Sequence, residues 1–159
     1  MEIERKWAIE GFPAGLPQID AARMEQRYLT TRPVVRIRRE ERGEKVSRIL
    51  CIKGPGNLAR EEIELSIPEE TYDRIAALIG HPPIVKAYRA YRLPGGETLE
   101  VSRVSGATDA PFYYAEVEFA TLAAAKAFVP PAFLGEELTD RPGSSMGALW
   151  ESRYGRGTL

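Results

Sequence analysis

The opening stretch MEIERKW constrains the fold more than any other part of the chain. Glu2, Glu4 and Lys6 alternate with Ile3, Arg5 and Trp7, and successive side chains on a β-strand point to opposite faces. Glu2, Glu4 and Lys6 therefore share one face. Two carboxylates roughly 6–7 Å apart along a strand repel unless a metal, a basic partner or water lies between them. A solvent-facing edge strand of mixed charge would explain one such stretch, but the pattern returns. Arg60, Glu62 and Glu64 alternate in AREEIEL, Glu116 and Glu118 in YYAEVEF, and Arg36 and Arg38 flank Ile37 in VVRIRR. The opposite faces carry Ile63, Leu65, Val117 and Phe119, so these strands are charged on one side and partly apolar on the other.

A chain of 159 residues with 43% hydrophobic content suits one compact domain spanning 1–159 with a real core. No run approaches a membrane span. Glu2, Glu4 and Glu10 stand where a signal peptide needs a basic end and an apolar run, so a cytoplasmic protein is expected. The single Cys51 cannot form an internal disulfide, and with no suitable histidine nearby it is read as a small strand residue rather than a nucleophile. The formal net charge of −1 conceals clusters of both signs, so bulk charge is silent on nucleic acid and the pattern is the better guide.

In order, the chain reads as strands interrupted by short helices. GFPAGLPQ is a loop, MEQRYL a short strand, TTRP a turn and VVRIRREE another strand. A turn at Arg42-Gly43-Glu44 leads into VSRILCIK, which Gly54-Pro55-Gly56 ends. Glu69 and Glu70 suit a helix N-terminus, Tyr72, Ile75, Ala76 and Ile79 follow at helical spacing, and Gly80 closes that helix. His81 is a loop residue. IVKAYRAYRL and TLEVSRV form a hairpin across Gly95-Gly96, with Lys86, Arg89 and Arg92 as candidate anion contacts. Thr121 can cap an Ala-rich helix, and GSSMGALWESRYG forms a last helix despite its glycines.

Closing such a sheet into a barrel turns alternate positions inward, and eight strands leave an interior wide enough for one small ligand. Inward carboxylates and inward Lys and Arg are both costly unless paired. A divalent metal with a polyanion cancels both charges, because carboxylate oxygens suit Mg²⁺ or Mn²⁺ while Arg and Lys neutralise phosphate. The ligand so inferred is a polyphosphate chain.

The run Glu2-Ile3-Glu4-Arg5-Lys6 resembles the Glu-x-Glu-x-Lys signature of the CYTH, or triphosphate tunnel metalloenzyme, superfamily. VRIR, CIKGPG, REEIE, the Lys86–Arg92 strand and AEVEF follow in that family's order, over nearly the whole chain. The resemblance implies a predominantly β (α+β) fold, a closed eight-stranded antiparallel β-barrel with short helices outside and a C-terminal helix. It implies divalent-metal-dependent hydrolysis of inorganic triphosphate or another triphosphate. Alternatives are class IV-type adenylyl cyclase chemistry, or a polyphosphate- or nucleotide-binding domain without turnover. A structural domain with solvated charged faces ranks last.

By the same resemblance, Glu2, Glu4, Glu62, Glu64, Glu116 and Glu118 match the metal-holding acidic pairs. Lys6, Arg36, Arg38, Lys53, Arg60, Lys86 and Arg89 match the basic residues that hold triphosphate, with Lys6 and Glu4 as catalytic candidates and Lys6 positioning the attacking water. Two departures stand out. An aspartate expected in a Glu-x-Asp context is replaced in Glu100-Val101-Ser102, so either Glu100 substitutes from an awkward face or one metal is held more weakly. Arg141-Pro142-Gly143-Ser144-Ser145 also departs from the relatives' C-terminal pattern, and Arg89 and Arg92 compete for one inward position. The expected partner is a small-molecule triphosphate, not a membrane or nucleic acid. Trp150 and Tyr154 could cover one tunnel mouth or support a homodimer contact.

Overall fold

The computed structural model describes residues 1–157. Its strands are β1 (Glu2–Ala8), β2 (Gln18–Thr31), β3 (Val34–Arg42), β4 (Lys45–Lys53), β5 (Ala59–Arg60), β6 (Glu62–Ser66), β7 (Ile84–Arg92), β8 (Thr98–Ser105) and β9 (Phe112–Glu118). They form one antiparallel sheet in the order β5-β1-β9-β8-β7-β2-β3-β4-β6. The two end strands are separated by Glu61 alone, and the Gly54 N–H donates to the Glu61 carbonyl at 2.9 Å. The chain itself thus brings the sheet's edges together. Counted as one interrupted strand, β5 and β6 make this the eight-stranded barrel expected, nearly closed.

Charge lines the inside of the barrel wall, one apolar cluster packs against its outer face, and a second reaches the cavity through Tyr28, Tyr114 and Met146. Ile3 and Trp7 of β1, Val101 of β8, Ala115 and Val117 of β9 and Tyr91 of β7 face outward into one apolar cluster, which Ala125 and Leu134 cover. Ala125 belongs to helix α2 (Leu122–Ala127), capped by the Thr121 hydroxyl accepting from the Ala124 N–H at 3.0 Å. A second cluster joins Tyr28, Ile84, Val104 and Tyr114 to Met146 and Trp150. Those last two belong to helix α3 (Met146–Tyr154), with Ser145 as its cap. Outside the barrel, helix α1 (Glu69–Ile79) adds Tyr72 and Ile79 and ends on Gly80 at φ 72°, a left-handed turn that glycine adopts without steric cost.

One local reading changes. The strand read as MEQRYL extends over Gln18–Thr31, because Ala21–Gln26 pair with β7 while Arg23–Thr31 pair with β3. Pairing on both sides satisfies backbone groups that local sequence leaves ambiguous. Trp150 is wholly buried and Tyr154 stacks on His81 with ring centroids 4.3 Å apart, so these aromatics anchor α3 to its own barrel. No helix among the described residues is long and apolar enough to cross a membrane.

Candidate active site

Alternation along the strands brings the charged residues into one cavity of about 650 Å³. Glu2, Glu4 and Lys6 of β1, Arg36 and Arg38 of β3, Lys53 of β4, Glu62 and Glu64 of β6, Lys86 of β7 and Glu116 and Glu118 of β9 all line it, as does Arg60 of β5. Twelve of the thirteen positions expected from the sequence therefore meet.

Arg89 does not. It lies on the outer face with its guanidinium 4.1 Å from the centre of the Phe12 ring. It stands three positions beyond the inward Lys86, and strand alternation puts such a pair on opposite faces. Arg92 shares the parity of Lys86 but sits at the hairpin end, donating to the Gly96 carbonyl at 2.8 Å and to the Thr98 hydroxyl at 3.1 Å. Between them the inward Tyr88 lines the cavity, and its hydroxyl donates to Glu100 at 2.6 Å.

The acidic wall is arranged as pairs. Lys53 donates to Glu2 at 3.0 Å and lies 3.2 Å from Glu62, while Arg60 stands 3.5 Å from Glu2. Burial raises the Glu62 carboxyl, and its hydrogen bond to Glu2 takes it to about 7. Burial opposes ionisation of Glu2 as well, but the hydrogen bond from Glu62 and the charge of Lys53 outweigh it and hold Glu2 near about 2. Between β1 and β9, burial and then the Glu116 carboxylate push Glu4 up to about 9. Glu116 remains the ionised partner, because the Lys6 charge and the hydrogen bond from Glu4 overcome its own burial. Glu4 and Glu116 share one proton because that pair cannot ionise twice without a cation between its members, whereas Lys53 already stands between Glu2 and Glu62 and Glu62 is raised only to about 7. Glu64 and Glu118 are exposed at the rim.

The inner part is basic. Arg36 and Lys86 are only 7% and 6% exposed, yet among the described residues neither has a carboxylate within ion-pair distance. Arg36 Nε has no hydrogen-bond partner there, and its neighbours are the hydroxyls of Tyr28 and Tyr114 and the Cys51 thiol. Lys86 is pushed well down by burial and by the charge of Arg36. Arg38 differs, sharing its charge with Glu40 at 2.7 Å and Glu64 at 3.9 Å. Lys6 lies 4.3 Å from the centre of the Tyr114 ring and donates to the Ser144 carbonyl at 2.5 Å, and burial lowers it too.

Glu100 and Ser102 both point inward, as residues two apart on a strand must. The awkward face expected for Glu100 does not exist: Glu100 stands directly across from Glu116 in the β8–β9 register. Cys51 is fully buried beside Glu62 and Glu64, and burial raises its thiol, which suits a wall residue and not a nucleophile. The sequence reading missed the segment Leu138–Gly147, which forms part of the cavity wall. Ser144 Oγ donates within it to the carbonyls of Leu138 and Arg141, and Thr139 Oγ accepts from the Lys6 N–H at 3.0 Å. Arg141 itself is exposed and pairs with Glu136. The available signal was Ser145 three residues before Ala148, a cap that fixes where α3 begins.

No family model matches the chain. It is 32% identical over 139 residues to an inorganic triphosphatase of Nitrosomonas europaea, covering 87% of this chain and 89% of the relative. A crystal structure of an inorganic triphosphatase superposes with a TM-score of 0.64 at 27% identity, over 94% of this chain and 93% of that one. A Hippeastrum protein of adenylyl cyclase type with a dominant triphosphatase activity shares the fold at 15% identity, with a TM-score of 0.59 over 79% of this chain and 83% of that one.

Proposed function

The chain belongs to the CYTH, or triphosphate tunnel metalloenzyme, superfamily, and from that membership we propose that it hydrolyses inorganic triphosphate, water attacking a terminal phosphoryl group. The observation that carries this reading is one cavity that joins proton-sharing carboxylate pairs to buried cations lacking carboxylates. Such an interior suits a polyanion entering with a divalent cation.

The donor set fits a hard ion. Glu2, Glu4, Glu62 and Glu116 would hold Mg²⁺ or Mn²⁺, with Glu64 and Glu118 reaching it from the rim. When bound, the ion supplies positive charge to phosphate oxygens that the carboxylates alone would repel. The chain's own groups do the rest. Arg36 and Arg38 can grip phosphate oxygens with parallel N–H donors, while Lys53 and Lys86 act as point charges. Arg60, paired with Glu2, steadies the acidic wall next to the substrate. Lys6, between Glu116 and the inner cations, is placed to orient the attacking water. Held in advance, these donors stabilise the charge that develops on the transferred phosphoryl group without reorganising.

Phosphate release from inorganic triphosphate, ATP and thiamine triphosphate, each with Mg²⁺, Mn²⁺ or chelator, tests the reading. Metal-dependent release that is strongest with inorganic triphosphate and lost in Glu4→Ala is the expected result. Tight triphosphate binding without release from any of the three would overturn it. Pyrophosphate release from ATP alone would mark a cyclase instead.

A further inference from the structure

Helix α3 begins at the cavity. Ser144, Ser145, Met146 and Gly147 all line it, and an atom added at the Gly147 Cα would lie 3.8 Å from the Tyr28 ring. The first N–H groups of any helix lack an intrahelical acceptor and carry the positive end of its dipole. Here the Ser145 hydroxyl satisfies only the Ala148 N–H, at 3.0 Å, and the Ser145 carbonyl accepts from Leu149. The Met146 and Gly147 N–H groups have no acceptor among the described residues.

A second, independent observation points the same way. Tyr28 touches both the helix start and Arg36, its partner across the β2–β3 register. Arg36 is buried with its Nε unpartnered, and Lys86 is buried nearby without a carboxylate. Two side-chain cations and a helix N-terminus, all short of acceptors, therefore converge on one part of the cavity. Arg36 and Lys86 are shut off from bulk water, and together with the partly exposed helix start they suit an anion with several oxygens.

We propose that the backbone N–H groups of Met146 and Gly147 join Arg36 and Lys86 in seating one terminal phosphoryl group of a linear triphosphate. This rests on the triphosphatase reading and adds a binding element that no side-chain motif reveals. It makes the start of α3 part of the substrate site.

The test removes a donor without disturbing the helix. Proline is well suited to the first helical position, and Ser145 before it is already extended at ψ 158°. Met146→Pro and Met146→Ala lose the same side-chain packing but differ in that one N–H. Calorimetric titration of tripolyphosphate into the metal-free full chain should show Met146→Pro binding about tenfold more weakly than Met146→Ala. Gly147→Asp places a carboxylate at the same terminus, where a Cβ makes only ordinary contacts at 3.8 Å with the Tyr28 ring and the Ser145 hydroxyl. It should raise the melting temperature without ligand, through the dipole, yet weaken tripolyphosphate about tenfold relative to Gly147→Ala. Equal affinities within both pairs overturn the proposal. So does a wild-type protein that hydrolyses triphosphate with Mg²⁺ but binds none without metal, since these donors act without the ion. Wild-type protein that neither binds nor hydrolyses triphosphate would instead sink the triphosphatase reading, and this proposal with it.

Discussion

On the acidic wall Glu4 lies against Glu116, that pair keeping a proton, and Glu62 lies against Glu2 with Lys53 between them, whereas on the basic wall Arg36 and Lys86 stand buried with no carboxylate partner. The acidic wall can wait for its ion, because a carboxyl that would be costly when charged simply stays protonated. Arginine has no such escape, since its guanidinium is always charged. Carboxylate pairs alone mark a place where a cation can go, but a buried arginine without a counter-ion marks a place where an anion must come. The basic wall is thus the stronger pointer to substrate, although the acidic motifs are easier to see in the sequence.

The largest effect that can break this comparison is at Arg36. Arg36→Gln should lower kcat/KM for inorganic triphosphate about 100-fold or more, from the loss of charge-assisted hydrogen bonds. The melting temperature without ligand should hold or rise, because an unpaired buried charge is removed. A lower melting temperature with unchanged turnover would make Arg36 a structural residue.

Glu4→Gln resembles the protonated carboxyl that the metal-free protein already carries, so stability at neutral pH should barely change. Turnover should fall about 100-fold, and the rise in melting temperature on adding Mn²⁺ should shrink. An undiminished Mn²⁺ response would remove Glu4 from the proposed ligands.

A smaller effect follows from pH. Glu4 and Glu62 have folded pKa values raised from 4.5 to about 9 and about 7. The folded state therefore holds more protons than the unfolded chain across this range, and stability falls as pH rises. Their contribution is whole below about pH 4.5 and is lost between there and about pH 9. Thermal melting in chelator should show that decline, and Mg²⁺ or Mn²⁺ should flatten it. Lys6 and Lys86, lowered by burial, act in the opposite sense, so the Glu4 pair is read from the difference between wild type and Glu4→Gln, and an identical pH 5–9 slope in the two would contradict the proton-sharing pair.

The smallest effect is expected at Arg89. Its cation–π contact with Phe12 is worth about 0.5–1 kcal/mol, so Arg89→Ala should cost stability of that order and leave KM for triphosphate within about twofold. A large KM increase would return Arg89 to the cavity and break the assignment of faces.

Much of the site could be read without coordinates, because a strand's period of two ties side-chain direction to sequence position. Glu2, Glu4 and Lys6 needed no partner strand to be placed together, and the same holds for Arg36 with Arg38 and for Glu116 with Glu118. Glu100 and Ser102 obeyed the same rule. Of the competing Arg89 and Arg92, Arg89 stands an odd number of positions from Lys86, and the same period puts it outside, over the Phe12 ring. The segment Leu138–Gly147 was not legible for a different reason: TDRPGSS has no period, and its shape depends on hydrogen bonds to Lys6 from more than a hundred residues away.

By itself, then, the sequence determined which residues share a face and that several strands carry charge on one face and apolar residues on the other, since both follow from local alternation. Only the tertiary structure decided which charges pair and which remain unpaired. Lys53 reaches Glu2 because the β5–β6 stretch brings the ends of the sheet together, and Arg36 stays unpaired because its neighbours across β2 and β4 are Tyr28 and Cys51. Pairing depends on strand register and closure, which are set by contacts between residues far apart in the chain.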